Sequence, residues 1–256
     1  MRTLTAFMHK EWIESVRTGK ITLLALLFVV FGIMNPAAAK LTPWLLKQMA
    51  SGMAETGLSV SEVRIDALTS WAQFYKNMPM ALLIFALAFS GVLTSEYAKG
   101  TLIPIVAKGM SRRNILASKG LMTAAYWTVG FWTSYGITYG YNAFFWDNGA
   151  AAHLTFTAFG LYAFGLWLIS LLLLFSTLAD SGSGVILGTV LLLAAVYLLG
   201  LLPTLQDYAP VRLLETAKLA AGSGAPSDYA AALAVAAVWI AANIGIAALR
   251  FDRKKI

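Results

Sequence analysis

The residues best placed to do chemistry in this chain are few, and most lack the spacing that chemistry needs. Ser181-Gly182-Ser183-Gly184 has the small, serine-bearing pattern of an intramembrane nucleophile. A serine in that role needs a histidine base on a neighbouring helix. The two histidines are His9, near the N-terminus, and His153, at the edge of an apolar run. Neither is placed to serve, so a helix start built from small residues explains the segment better. No His-Glu-x-x-His metal pattern occurs, and both histidines read as interfacial polar residues. No Gly-rich loop ends in Gly-Lys-Ser/Thr, so the chain has no P-loop with which to bind ATP itself. One segment stands apart. Ser95 to Lys119, SEYAKGTLIPIVAKGMSRRNILASK, sets an acid, then Gly-Thr-Leu, then Ser-Arg-Arg, then a lysine between two apolar runs. That is more than a plain connection requires.

The elements that must position this segment follow from composition. Of 256 residues, 59% are hydrophobic and 12% charged. A soluble domain carries roughly twice that charged share. The charges lie between long apolar runs, which is the pattern of membrane spans. Backbone polar groups cannot go unpaired in lipid, so the runs are helices. The expected fold is all-α: a polytopic bundle of six transmembrane helices behind an amphipathic interfacial helix over residues 1–20. The spans fall at about 21–39, 78–94, 115–140, 154–178, 183–202 and 229–249, within one transmembrane domain over 21–256. A basic start followed by Ala37-Ala38-Ala39 also resembles a signal peptide, but the leading segment holds Glu11 and Glu14 and is too long for that. With no cysteine, redox compartment cannot be read.

Orientation follows from lysine and arginine placement. The N-terminal segment, the loop between spans two and three, and the C-terminal tail together hold 13 of the 19 basic residues. Six spans put all three on one side, which makes that side cytoplasmic and both termini internal. The net charge of +7 is therefore assigned to membrane orientation and not to nucleic acid.

Three pieces outside the spans have character. Over residues 2–18, Leu4, Phe7, Met8, Trp12 and Val16 share one half of a helical wheel, as in a helix lying on the membrane surface. Glu11 projects into that apolar arc, where an acid is unexpected. In the first outer loop, Thr42-Pro43 and Ser59 to Glu62 read as two helix starts, and Trp71, Phe74 and Tyr75 sit at an interfacial belt. In the last outer loop a short apolar helix is expected over 211–221, either dipping into the membrane or capping the bundle. The span interiors carry no ionisable residue, which weighs against a proton-coupled carrier.

The Ser95–Lys119 segment resembles the inner loop of permease subunits of type 2 ABC exporters, where an acid is followed by Gly-Thr-Leu, a spacer, Ser-Arg and Lys. Lys10-Glu11-Trp12 and Arg17-Thr18-Gly19-Lys20 are similar to the start of the same family. Met110 stands where the family often has proline. The resemblance implies a coupling helix that docks on a separate ATPase subunit, which binds the ATP and Mg. It also implies two permease copies, or two homologous permeases, in a bacterial cytoplasmic membrane. Carried over, Gly100, Thr101 and Leu102 turn the chain into the coupling helix, while Ser111, Arg112 and Arg113 lie by the membrane or the ATPase. Glu96 pairs with Lys119 or with a basic residue of the N-terminal helix. Glu11 is either a coupling partner or an acid reaching for water. The basic residues taken singly also fit as positive-inside anchors.

Two further sets are weaker. Gly184-x-x-x-Gly188 in span five, and Gly136-x-x-x-Gly140 in span three, have the spacing of close helix contacts, and by family analogy the first belongs to the dimer. Tyr126, Trp127, Trp132 and Tyr135 either line a path for an amphipathic substrate or pack the bundle. The function expected is transport of a peptide, drug or lipid-like molecule by an ATP-driven exporter. The alternative is a sodium-coupled or facilitative carrier with no ATPase partner.

Overall fold

The computed structural model describes residues 2–53 and 66–254. Among the described residues all regular structure is helical. In chain order the helices are α1 (Arg2–Arg17), α2 (Lys20–Met53), α3 (Ala67–Phe89), α4 (Thr94–Lys99), α5 (Leu102–Ala107), α6 (Arg112–Phe145), α7 (Leu154–Leu178) and α8 (Gly182–Gly200). A 3-10 turn over Pro210–Thr216 leads into α9 (Ala217–Ala220), and α10 (Ala230–Arg253) ends the described chain.

Five stretches are long and apolar enough to cross a membrane: Lys20–Leu45, Ala67–Lys99, Leu154–Leu178, Gly182–Gly200 and Pro226–Arg253. The remaining expected span, the third in chain order, lies in α6, whose 34 residues would reach ~50 Å at 1.5 Å per residue. Its length suffices but its composition is less apolar, because Arg112, Arg113, Lys119 and many Tyr, Thr, Ser and Gly residues interrupt it.

Helix α7 is the hub. It packs against α3, α6, α8 and α10 and buries Trp167, Leu171 and Leu172. A second focus lies where α2, α3 and α6 meet. Trp127 sits edge-on to Phe28 at 5.8 Å and to Phe85 at 5.6 Å. Two glycines make room for these rings. A Cβ on Gly130 would lie 2.2 Å from the Phe28 ring, and one on Gly165 would lie 2.3 Å from Trp127. Several polar residues of the interior bond one another across helices, whereas buried Ser70, Ser134 and Asn142 have no side-chain hydrogen-bond partner. Asn77 donates to Asn35 at 3.0 Å, Thr138 to the Gly32 carbonyl at 2.9 Å, and Asn243 to Ser170 at 2.9 Å.

Local structure departs from the sequence reading in places. Thr42-Pro43 does not start a helix. Helix α2 runs on through Pro36 and Pro43, and the Thr42 hydroxyl donates back to Ala38 at 2.8 Å, a bond made inside a helix and not at its cap. The Ser59–Glu62 capping box lies outside the described residues. The second apolar helix starts earlier than expected, capped by the Asp66 carboxylate, which accepts from Thr69 N–H at 3.0 Å. It also stops earlier, at Phe89. The early start makes Trp71, Phe74 and Tyr75 buried helix residues instead of a belt beside one. The segment over 211–221 is mostly 3-10. It caps the bundle: Thr216 donates to the Thr157 carbonyl at 3.1 Å, and a Cβ on Gly160 would meet Thr216 at 2.5 Å. Ser181 caps α8 by accepting from Gly184 N–H at 3.2 Å, the structural role expected of the Ser-Gly-Ser-Gly segment.

Gly165→Leu overpacks the Trp127 contact, a class of change that costs ~1–3 kcal/mol. Gly136, with nothing within 4 Å of its Cβ direction, is expected to accept alanine with a gain of ~0.5–1 kcal/mol. Thermal unfolding of the two variants in one detergent separates them. Equal melting temperatures would contradict this packing.

Candidate functional site

The Ser95–Lys119 segment folds as two short helices and the start of a long one. Helix α4 ends on Gly100, whose φ of +64° is the left-handed conformation that favours glycine. Its N–H donates to the Glu96 and Tyr97 carbonyls. Thr101 then leads into α5, which closes on Gly109 at φ +88°. Ser111 caps α6, its hydroxyl accepting from Asn114 N–H at 3.3 Å. The result is a helical hairpin with α5 at its tip. Leu102 is fully buried at the root, whereas Ile103 is 57% exposed and Pro104 and Ala107 are exposed beside it.

Beneath the hairpin lies a cluster of charges drawn from three elements. Lys119 of α6 reaches Glu96 of α4 at 2.8 Å and Glu11 of α1 at 2.9 Å. Lys10 reaches Glu96 at 3.1 Å, Glu11 at 3.0 Å and Glu14 at 2.7 Å. The Thr101 hydroxyl donates to the second Glu96 oxygen. The side chains of Glu96 and Lys119 are each 5% exposed. A charge taken out of water at such a place is tolerated only when paired and hydrogen-bonded. Partial burial of Lys10 opposes its charge, but bonds from Glu14, Glu11 and Glu96 outweigh that and hold its ammonium above the ordinary lysine range. A raised lysine pKa means that the stabilisation is present at neutral pH and lost only as pH climbs through the folded value.

This geometry explains the misfit acid of the N-terminal helix. Phe7, Glu11 and Ser15 form one stripe of α1, with Phe7 and Ser15 buried. The stripe packs on α6 and delivers Glu11 to Lys119. Trp12, Ile13 and Val16 on the adjoining face remain exposed, as befits a helix lying in an interface. The three carboxylates of Glu11, Glu14 and Glu96 converge closely enough to suggest a cation site. Lys10 and Lys119 already pair with all three, leaving one net negative charge and no carboxylate without an ion-pair partner, so the donor set does not call for a metal.

A second clamp was not legible in the sequence. Arg112 Nη1 donates to the Phe251 carbonyl at 3.0 Å and also to that of Lys254. A guanidinium thereby caps the carbonyl end of α10, a favourable place for a cation. Arg113 Nε bonds Asp252 at 2.8 Å. Lys254 reaches Asp180 at 2.8 Å and the Ala179 carbonyl at 2.9 Å, and its ammonium lies 4.4 Å from the centre of the Tyr97 ring of α4. Arg112 therefore faces the chain's own C-terminal tail.

The remaining expected sites fall elsewhere. A Cβ on Gly188 would meet Phe175 of α7 at 2.4 Å, so this glycine serves packing within the chain. Gly184 lies beside Ala179 and Ser181. Trp127 is fully buried, its Nε1 donating to the Tyr162 carbonyl at 3.1 Å. Tyr135 packs on Trp71 at 5.0 Å, Trp132 on Tyr135 at 5.4 Å and Tyr126 on Phe89 at 5.7 Å. These four rings join α6 to α1, α3 and α7.

Lys119→Met leaves Glu96 and Glu11 without their buried partner, a loss of ~3–5 kcal/mol where one half of such a pair is removed. Adding Glu96→Leu and Glu11→Leu should recover most of that stability, so unfolding of the single and triple variants measures the cluster. A single variant as stable as the parent chain would contradict a buried pair.

The segment is thus a hairpin anchored on two sides, with its apolar tip exposed. Comparison with known proteins supplies the family. An uncharacterized transmembrane protein YxlG of Bacillus subtilis (strain 168) is 24% identical over 238 residues, spanning 90% of this chain and 89% of that one. The family model described as ABC-2 family transporter protein matches residues 5–256. The chain belongs to that family, as a multi-pass membrane protein that forms the membrane component of an ABC transporter.

Proposed function

We propose that this chain is the permease half of an ATP-driven exporter in a bacterial cytoplasmic membrane, moved by a separate ATPase subunit that docks on α5. The observation that carries the reading is the hairpin tip. A six-residue helix exposes Ile103 and Pro104 between Lys99 and Lys108, while its root is fastened to α1 and α6 through Glu96. An apolar knob ringed by lysines suits a groove on a soluble partner. Force applied at the knob passes through Glu96 and Lys119 into α6 and through Arg112 into α10.

In this reading α6 is the third of six spans and both termini face the cytoplasm. Its high-charge end and the described part of the basic tail lie together, which supports that orientation. Two permeases, identical or homologous, work with two ATPases, which carry the ATP and Mg. The exposed face of α8, with Leu187, Leu191 and Leu198, is available to the second permease. Alternating access then moves an amphipathic peptide, drug or lipid-like molecule.

A P-loop ATPase encoded beside the gene would support the reading, and co-expression with that ATPase tests it directly. The pair is expected to co-purify in detergent and to move substrate only with ATP. Ile103→Glu, at an exposed position, should abolish co-purification while leaving the melting temperature of the permease within ~0.5 kcal/mol equivalent. Transport that persists without ATP, or undiminished ATPase capture by the variant, would overturn the proposal.

A further inference from the structure

Helices α6 and α10 are drawn together at one end by Arg112, Arg113 and the tail of α10. Just beyond that clamp they separate. Ala117, Gly120 and Ala124 of α6 face Ala247 and Ala248 of α10, and Leu173 of α7 forms part of the floor. Small residues on both walls leave a cleft of about 470 Å³. The one polar wall group, Ser170, accepts from Asn243 at 2.9 Å, so its hydroxyl oxygen is already engaged within the fold. A wall of this kind offers water no partners. The cleft also borders two of the apolar helices that the bilayer surrounds. With a water-sized group taking ~30 Å³, it has room for one alkyl chain of phospholipid length.

The mouth of the cleft is charged. Arg113 lines it, with its side chain 67% exposed. Among the described contacts only its Nε is engaged, by Asp252. The two terminal nitrogens of a guanidinium can then grip a phosphate bidentately. Arg250 and Arg253 occupy the same last turn of α10, so cations outnumber Asp252 there. Basic residues at the membrane boundary favour anionic headgroups.

We propose that this cleft binds one anionic phospholipid of the cytoplasmic leaflet, its acyl chain between α6 and α10 and its phosphate on Arg113. The leaflet, but not the site, rests on the orientation given above. The occupant ties the two helices that the Arg112 clamp joins, which places a lipid beside the path from hairpin to bundle.

The test uses the full chain in phosphatidylcholine nanodiscs carrying a trace of phospholipid with a photoreactive group at mid-chain. Phosphatidylglycerol probe is expected to label peptides 113–124 and 240–248 about tenfold more than the phosphatidylcholine probe, because both carry a phosphate but the choline ammonium of the second is disfavoured among Arg113, Arg250 and Arg253. Arg113→Gln should bring the phosphatidylglycerol labelling down to the phosphatidylcholine level. Ala117→Trp, which fills the cleft, should remove both. Equal labelling by the two probes in the unsubstituted chain would overturn the proposal without any variant. Labelling unaffected by Ala117→Trp, or concentrated instead on the Gly136–Phe145 groove of α6, would also overturn it. Nanodiscs present both leaflets alike and need no ATPase, so a wrong orientation or a failed permease reading leaves this result untouched.

Discussion

Everything at the working end of this protein depends on one buried ion pair, Glu96 with Lys119 at 2.8 Å. Neither charge has water to fall back on, so each holds the other in place. A buried pair of this kind is a poor source of net stability, because desolvation offsets most of the attraction. Its value is positional. Breaking it by moving either helix exposes an uncompensated charge, which makes α4 and α6 move as one. Glu11 and Lys10 extend the constraint to α1, and Thr101 extends it to the first residue of the hairpin turn.

The Arg112 clamp completes the arrangement from the opposite side. Helix α6 thus begins between two fastenings, one to the N-terminal helix and one to the C-terminal tail. The hairpin between them has an exposed tip and a root that cannot shift alone. A root held in this way passes a displacement of the tip on to the bundle without absorbing it. The aromatic packing of Trp127 against Phe28 and Phe85 stiffens the next stretch of α6 in the same way.

Much of this was legible in the residues, and the failures have physical reasons. Helix α7 could be bounded from its apolar run, because uniform hydrophobicity between His153 and Ala179 leaves little choice. The turn at Gly100 followed from the family resemblance, and its left-handed backbone, which favours glycine, is now seen there. The pairing of Glu96 with Lys119 or the N-terminal helix was expected, and both partners are present. The anomalous Glu11 was a true signal: an acid inside an apolar arc needs a partner, though its identity was not evident. Helix α2 was read as ending near Ala39, because Lys40 closes the apolar run and Thr42-Pro43 looks like the start of another helix, whereas one helix runs through both prolines. The partnership of Arg112 with the Phe251 carbonyl spans 139 positions, and no periodicity reports a contact of that separation. Asp252 among the basic residues of the tail was the one available cue. The rings of α6 were ambiguous in sequence, since packing and path-lining call for the same residue types, and the fold uses them to join helices.

The chain contains no cysteine, which makes a single engineered thiol unambiguous. The most direct measurement places one at Ile103 (Ile103→Cys), labels it with a photoreactive maleimide, and illuminates the permease together with its ATPase in proteoliposomes. A covalent adduct to the ATPase from Ile103, and none from a thiol placed at Ser223 at the opposite end of the bundle, is the predicted result. No adduct at Ile103, or equal adducts from both positions, would contradict the assignment of the hairpin tip as the point where the motor engages.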